Sequence, residues 1–478
     1  GVKANVNRGY NDMTEDGFES CTKPGPWKKL LFSLSFFHAV IQERRKFGPL
    51  GWNIRYEFNN SDIECSMMTL KMFLEEQETI PWAALEYVVG QINYGGRVTD
   101  DNDRRCLMSI LRQYVTPAVL DDSYKFTKSG TYYAPPEGPL ESYREYLRSL
   151  PASEAPEVFG LHLNANISFQ QQESRKLLET VLSIQPRIGS TGGGKSNDEL
   201  VLEMAAALEE EVPALFDIET EAAMGLFDRT ESGQLNSLSV VLGQEIDRFN
   251  KLTRVLQSSL SELQKAIKGQ VVMTFELEGM FTSMLNNHVP EMWANVAYPS
   301  LKPLASWVND YHERILFMRT WLQDGLPKCF WLPGFFFPQG FMTGCLQMHA
   351  RKYSTPIDTL SFGFQVTEFE ELGQVEHGPE DGIFVHGLHV DSARWDRVNG
   401  VLEESEPGHM YAPLPIIHFK PQEGAAEEGP GEYACPLYKT SVRAGILSTT
   451  GQSTNFVLHV NLPIKEGTDS DFWVLQGV

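Results

Sequence analysis

The sequence predicts an α+β chain in which a long helical region gives way to about six antiparallel strands closing into a small barrel or sandwich. Three observations carry that prediction. Apolar residues recur at helical spacing up to about residue 325 and at every second position after about residue 357. Capping boxes and glycine or proline stops punctuate the first region at helix-length intervals. Between the regions lies PKCFWLPGFFFPQGFMTG, residues 327–344, where Phe330, Trp331, Phe335, Phe336, Phe337 and Phe341 sit among three prolines and three glycines. That mixture is too interrupted for a long helix and too apolar for a solvated loop. It reads as a packed corner between two layers, the alternative being an exposed patch that docks a partner.

In sequence order, a helix is expected from Trp27 to about Lys46, stopped by Gly48, Pro49 and Gly51. Its end, Arg44-Arg45-Lys46, suits the negative pole of the helix dipole and reads as solvated charge. Ser61 and Glu64 read as a capping box for a second helix with Ile63, Met67, Leu70 and Phe73 or Leu74 on one face. Pro81 opens a third, closed by Gly95-Gly96, and Thr99 caps a fourth with Asp100, Asp101 and Asp103 in its first turn. Turn-rich sequence over 116–139 places a boundary near residue 126. Helices resume at Leu140 to Leu150 and from a Ser168–Gln171 capping box to about Ile184.

The longest element is expected from Ser237 to Lys268. Leu242, Phe249, Leu256 and Leu263 recur every seven residues, while Glu245, Thr253 and Ser259 interrupt the seam, as in a helix packed in a bundle rather than a free coiled coil. Further helices are expected at 274–286 and 300–323. Beyond the corner, Leu360 to Val366, Phe384 to Val390, Leu414 to Lys420, Tyr433 to Tyr438, Asn455 to Leu462 and Phe472 to Leu475 read as strands. Residues 421–432, PQEGAAEEGPGE, read as a mobile acidic loop.

Charge narrows the partners. With 63 acidic and 40 basic side chains the net charge is -23, a field that repels nucleic acid and anionic lipid. Cys21, Cys65, Cys106, Cys329, Cys345 and Cys435 lack metal-site or disulfide-framework spacing, which fits a reducing compartment. The run from Lys28 to Val40 mimics a signal peptide but lies too far in and is too short to span a bilayer, which takes about 20 apolar residues. Gly1 is not an initiator methionine, so the sequence is expected to be part of something longer.

One stretch satisfies the phosphate-loop pattern: Gly189-Ser190-Thr191-Gly192-Gly193-Gly194-Lys195-Ser196. A working loop follows a buried strand, whereas helical spacing precedes this one. Downstream, Ser196 and Glu199 form a capping box, and Asp198 and Glu199 put negative charge where phosphate would sit. A flexible connector is the expectation, a phosphate site at Gly189, Gly194, Lys195 and Ser196 the alternative. His377, His386 and His389, near Glu376, Glu380, Asp381 and Asp391, form the one histidine cluster, but on a strand His386 and His389 face opposite sides. No catalytic residue, cofactor site or metal site is assigned.

Several long motifs carry a family resemblance: FGPLGWN from Phe47, NYGGRVTDD from Asn93, FWLPGFF from Phe330, PEDG from Pro379 and ARWD from Ala393. Together they resemble the C-terminal end of a dynein heavy chain, across essentially the whole sequence. YKTS from Tyr438 and LSTTGQSTNF from Leu447 are similar to axonemal, single-headed inner-arm members. The resemblance implies the end of the sixth AAA+ module with its helical lid over 1–125, the helical part of the C-terminal domain over 126–356, and an incomplete antiparallel β-barrel over 357–478. It implies no catalysis here, because ATP and magnesium are used in upstream AAA+ modules and microtubules are gripped by an upstream stalk. The implied role is to brace the AAA+ ring and modulate movement along microtubules in the axoneme of a cilium or flagellum, within the cytoplasm and cytoskeleton. Partners would be the other ring modules and, through the parent protein, light and intermediate chains and microtubules. A self-contained phosphate-loop NTPase is the alternative. Two departures stand out: Asn102 replaces the family's usual tryptophan, and members continue a few residues past the position of Val478.

Overall fold

The computed structural model describes residues 1–184, 195–231, 233–445 and 453–478, and two hydrophobic cores organise them. The first draws on residues from Val2 to Ala165. Around it pack α1 (Val2–Asp12), α2 (Pro24–Glu43), α3 (Asn60–Glu76), α4 (Trp82–Glu86, running on as a π-helix, Tyr87–Tyr94), α5 (Asp101–Tyr114) and α6 (Leu140–Ser149). Residues of the turn-rich stretch, Phe126, Tyr132 and Ala134, enter this core too. The signal-like run is α2, buried on every face from Trp27 to Ile41. Its lysines keep their stems inside and deliver their charge to carboxylates, Lys28 to Glu19 at 2.6 Å and Lys29 to Asp122. Among the described residues no helix is long and apolar enough to cross a membrane.

Three helix starts differ from the sequence expectation. Asn59, not Ser61, caps α3: its side chain accepts from the Ser61 amide at 3.2 Å, and Asp62 accepts in return from the Asn59 amide at 2.9 Å. Asp100, not Thr99, caps α5, accepting from the Asp103 amide at 2.9 Å. A next helix, α7 (Asn164–Ile184), begins a turn before Ser168. In each place several capping residue types lie together, and tertiary contacts select one.

The second core runs from Val201 to Val478 around α8 (Asn197–Glu211), α9 (Ser237–Ile267), α10 (Phe275–Leu285), α11 (Leu304–Asp324) and α12 (Pro338–Tyr353). The seven-residue seam of α9 is its buried face, and the polar residues that interrupt it are buried as well. Each is an anchor. Glu245 accepts from the Phe336 and Phe337 amides at 2.6 and 3.1 Å, Thr253 bonds the Tyr311 hydroxyl, and Ser259 accepts from Trp293 Nε1 at 2.9 Å. The aromatic corner is thereby fixed to the bundle. Phe330, Phe335 and Phe341 are buried, with Phe335 and Phe341 stacked 4.2 Å apart, while Phe337 stays 43% exposed. The corner also holds a helix that the sequence reading lacked, since Pro338 opens α12.

The strands form small sheets. β1 (Phe330–Trp331), β2 (Leu360–Val366), β3 (Ile383–His386) and β8 (Ile417–Glu423) make one sheet in the order β1-β3-β8-β2, parallel only between β1 and β3. Three antiparallel pairs complete the layer: β4 (His389–Asp391) with β7 (Tyr411–Pro413), β5 (Ala393–Asp396) with β6 (Val401–Glu404), and β9 (Glu432–Tyr438) with β10 (Phe456–Pro463). Among the described residues none closes into a barrel. The expected strand over 384–390 is broken at Gly387, whose φ of +85° and close approach to Trp331, 2.6 Å from where a Cβ would lie, require glycine. Phe472 to Leu475 is helix, not strand: α13 (Ser470–Gln476), capped by Asp469. A run of four mainly apolar residues fits either element, and this helix is apolar on two sides because it lies between both cores.

Glu245→Ala leaves two amides of the corner without an acceptor and should cost about 2–4 kcal/mol of stability in urea denaturation. A loss under about 0.5 kcal/mol would show that the corner holds without this anchor.

Candidate functional site

The polar surface between the two cores is the candidate site, and α13 is its centre. Trp473 sits in the second core while Leu475 packs against the first. Gly477, at φ +78°, ends the helix with its Cα against Leu50, whose carbonyl oxygen would lie 2.8 Å from a Cβ there.

Arg44 clamps this helix. Expected in solvent at the end of α2, it is 1% exposed, and its guanidinium donates to the carbonyls of Gly51, Leu50, Phe159 and Leu475. Next along α13, Asp471 receives Arg105 Nε at 2.8 Å and Arg112 Nη1 at 3.2 Å. Arg105 also forks onto Glu428 at 2.9 and 3.0 Å and reaches the Ser470 hydroxyl. Burial pushes the Glu428 carboxyl up, but Arg105, Ser470 and the Ala434 amide outweigh it and hold it below its ordinary range. The acidic loop is therefore tied down: β8 takes it through Glu423, and Glu428 pins the rest to α5.

A second cluster lies deeper. Asp103 accepts from the amides of Asn53 and Ile54 at 2.8 and 3.0 Å; the Asn53 side-chain amide reaches Asp100 at 3.2 Å and the Tyr438 hydroxyl at 2.9 Å. Arg443 donates to the Gly477 carbonyl and to Asn53 and stands 3.8 Å from Asp391. Asn102 bonds Tyr438 at 3.5 Å and borders a cavity of about 30 Å³ shared by both cores. Burial, with Asp100 alongside, pushes the Asp103 carboxyl up to about 7 despite its two amides. On the far side, Asn164 at the start of α7 donates to the carbonyls of Glu406 and His409 and accepts from the Gly408 amide.

The residues singled out from sequence lie elsewhere. Gly189 and Gly194 fall outside the described residues. Upstream of them α7 is a helix; downstream, Lys195 pairs with Glu203 at 2.7 Å, and the Ser196 hydroxyl caps α8 in a box with Glu199. Such partners would have to be displaced before either side chain touched a phosphate. His377 and His389 are exposed, and His386 is half-buried, its pKa lowered by burial. Asp381 instead bonds His349 at 3.0 Å, and its carbonyl meets His418 Nε2 at 2.8 Å. Among the described residues no group of three or more His, Cys, Asp or Glu side chains is placed to hold a metal ion. The interface arginines carry no local signature, because their partners lie hundreds of residues away; only Asn53, Asp100 and Tyr438 fall inside motifs noted in the sequence.

Over residues 171–478 the sequence matches the family described as the C-terminal domain of the Dynein heavy chain, and over residues 27–165 the one described as Dynein heavy chain AAA lid domain. Relatives include Dynein axonemal heavy chain 6 of Homo sapiens, 48% identical over 496 residues, and Dynein axonemal heavy chain 3 of Homo sapiens, 48% identical over 481. Dynein axonemal heavy chain 1 of Mus musculus is 46% identical over 481 residues. Each match covers 100% of the present sequence but only 12%, 11% and 11% of the respective relative.

The raised Asp103 value sets a pH dependence. Stability from this group is full below its ordinary value of 3.8 and is lost as pH rises through about 7. Relative to Asp103→Asn, the wild-type protein should therefore lose up to about 1.4 kcal/mol per pH unit toward pH 7 and level off above it, as read by urea denaturation at several pH values. Parallel profiles for the two proteins would contradict the assignment.

Proposed function

Because the protein belongs to the dynein heavy chain family, we propose that it is the non-catalytic C-terminal part of an axonemal motor, bracing the AAA+ ring and modulating ATP-driven movement along microtubules. On this reading ATP and magnesium act in upstream modules of the parent protein. The partners are the other ring modules and, through the parent protein, light and intermediate chains and microtubules. The place of action is the axoneme of a cilium or flagellum, and the subtype a single-headed inner-arm dynein. The four small sheets are read as the family's incomplete barrel, and the lid and the C-terminal domain as the two bodies on either side of α13.

One observation supports bracing above others: two arginines of the lid helix α5 grip both the loop bearing Glu428 and the helix bearing Asp471. Movement of the lid between nucleotide states would be passed to the C-terminal domain through these charge-assisted bonds. The net charge of -23 agrees with contact to the acidic microtubule surface being made elsewhere. The glycine-rich stretch up to Ser196 is read as a connector, its flanking Lys195 and Ser196 already committed to Glu203 and Glu199.

In the intact heavy chain, Arg105→Glu should leave ATP hydrolysis in place while microtubule gliding slows several-fold; adding Glu428→Arg should recover part of the speed. Unchanged gliding in Arg105→Glu would count against bracing through this contact. Calorimetric titration with magnesium ATP separates the NTPase alternative: saturable heat abolished by Lys195→Ala would establish it.

A further inference from the structure

Beside the aromatic corner, where helices and strands of the second body meet, lies a cavity of about 60 Å³, several times the space one water needs. Its walls are mostly apolar, with Leu332 and Phe335 from the corner and Leu388 and Val457 from the strand side. Three polar side chains also line it: Arg314, Lys439 and Tyr298.

Each is under-used by the protein. Arg314, 8% exposed, lies 3.6 Å over the Tyr298 ring and spends its Nε on Asp310 at 2.7 Å, but its two Nη groups make no hydrogen bond among the described residues. Tyr298 is 3% exposed, and its hydroxyl, buried beside Asp310, completes no hydrogen bond. Lys439 is half-buried, and its ammonium makes no ion pair or hydrogen bond among the described residues. Burial lowers its pKa, and the carboxylate that favours its charge, Glu245, is already bound by two amides and Arg248.

The local charge is positive. Asp310 is the single carboxylate for both Arg314 and Lys302, so with Lys439 three cations face one anion. Buried donors without acceptors and cations in excess call for an anion. A planar guanidinium with both Nη groups free matches the two oxygens of a carboxylate, and the surrounding walls suit a hydrocarbon.

We propose that this cavity binds a small monocarboxylate with a short apolar tail, the carboxylate held by the Arg314 Nη groups and Lys439, the tail against Leu332, Leu388 and Val457. Tyr298 supplies a third donor. Since the cavity joins the corner to the strands, the bound acid would stiffen that seam. The proposal stands apart from the bracing role, and neither needs the other.

The test is calorimetric titration of the full-length protein described above with butyrate and with butyramide, which has nearly the same shape and no charge. Butyrate should bind with a Kd on the order of 1 mM, and butyramide should give no saturable heat. Lys439→Met, which keeps the stem and leaves the Arg314–Asp310 pair intact, should weaken butyrate about tenfold, and a thermal melt in the absence of ligand reports whether the variant is folded. Equal binding of acid and amide, no saturable binding of butyrate, or unchanged affinity in folded Lys439→Met would each overturn the proposal.

Discussion

A buried guanidinium satisfied by backbone carbonyls alone is the constraint from which the arrangement of the two cores follows. Arg44 takes its acceptors from Leu50 and Gly51 after its own helix, from Phe159, and from Leu475 in the last helix. A charge in so dry a place is tolerated only while its donors have acceptors. The three segments are therefore held in one relation, and the position of α13 on the first core is set by it. Once α13 is placed, Asp471 meets Arg105 and Arg112, Gly477 meets Leu50, and Tyr433 can donate to the Val478 carbonyl at 2.7 Å.

These contacts differ in kind. Arg44 and the Asn53–Asp103 cluster are buried, so loss of one partner strands others inside the protein. Arg105 and Arg112 are 33% and 54% exposed at the side chain and are screened by solvent. The buried group fixes position, and the outer group, easily broken and remade, is the part suited to respond to movement. A lid that shifts against the C-terminal domain would trade the outer bonds first.

Much of the helical half was legible because periodicity is local. The seam of α9 and the stops at Gly48 and Gly95 needed no knowledge of tertiary structure. What escaped was long-range. Glu245, Thr253 and Ser259 looked like flaws in a heptad, yet their partners are Phe336, Phe337, Tyr311 and Trp293, many turns away. Arg44 looked solvated because nothing nearby in sequence announces carbonyls from Phe159 and Leu475. The last helix passed for a strand because four residues carry no clear period of their own, and a helix wedged between two cores is apolar on both sides. The family was legible where motifs were long; the interface that the family reading makes important was not, since Arg105 and Asp471 are separated by 366 positions.

The central claim, that Arg44 sets α13 on the first core, is tested most directly by hydrogen-exchange mass spectrometry of Arg44→Met beside the wild-type protein. The account predicts that residues 156–161 and 470–478 lose protection together, by about tenfold or more, while α9 keeps its own. Unchanged protection over 470–478 would contradict it, and would mean that the last helix is held by its apolar contacts alone.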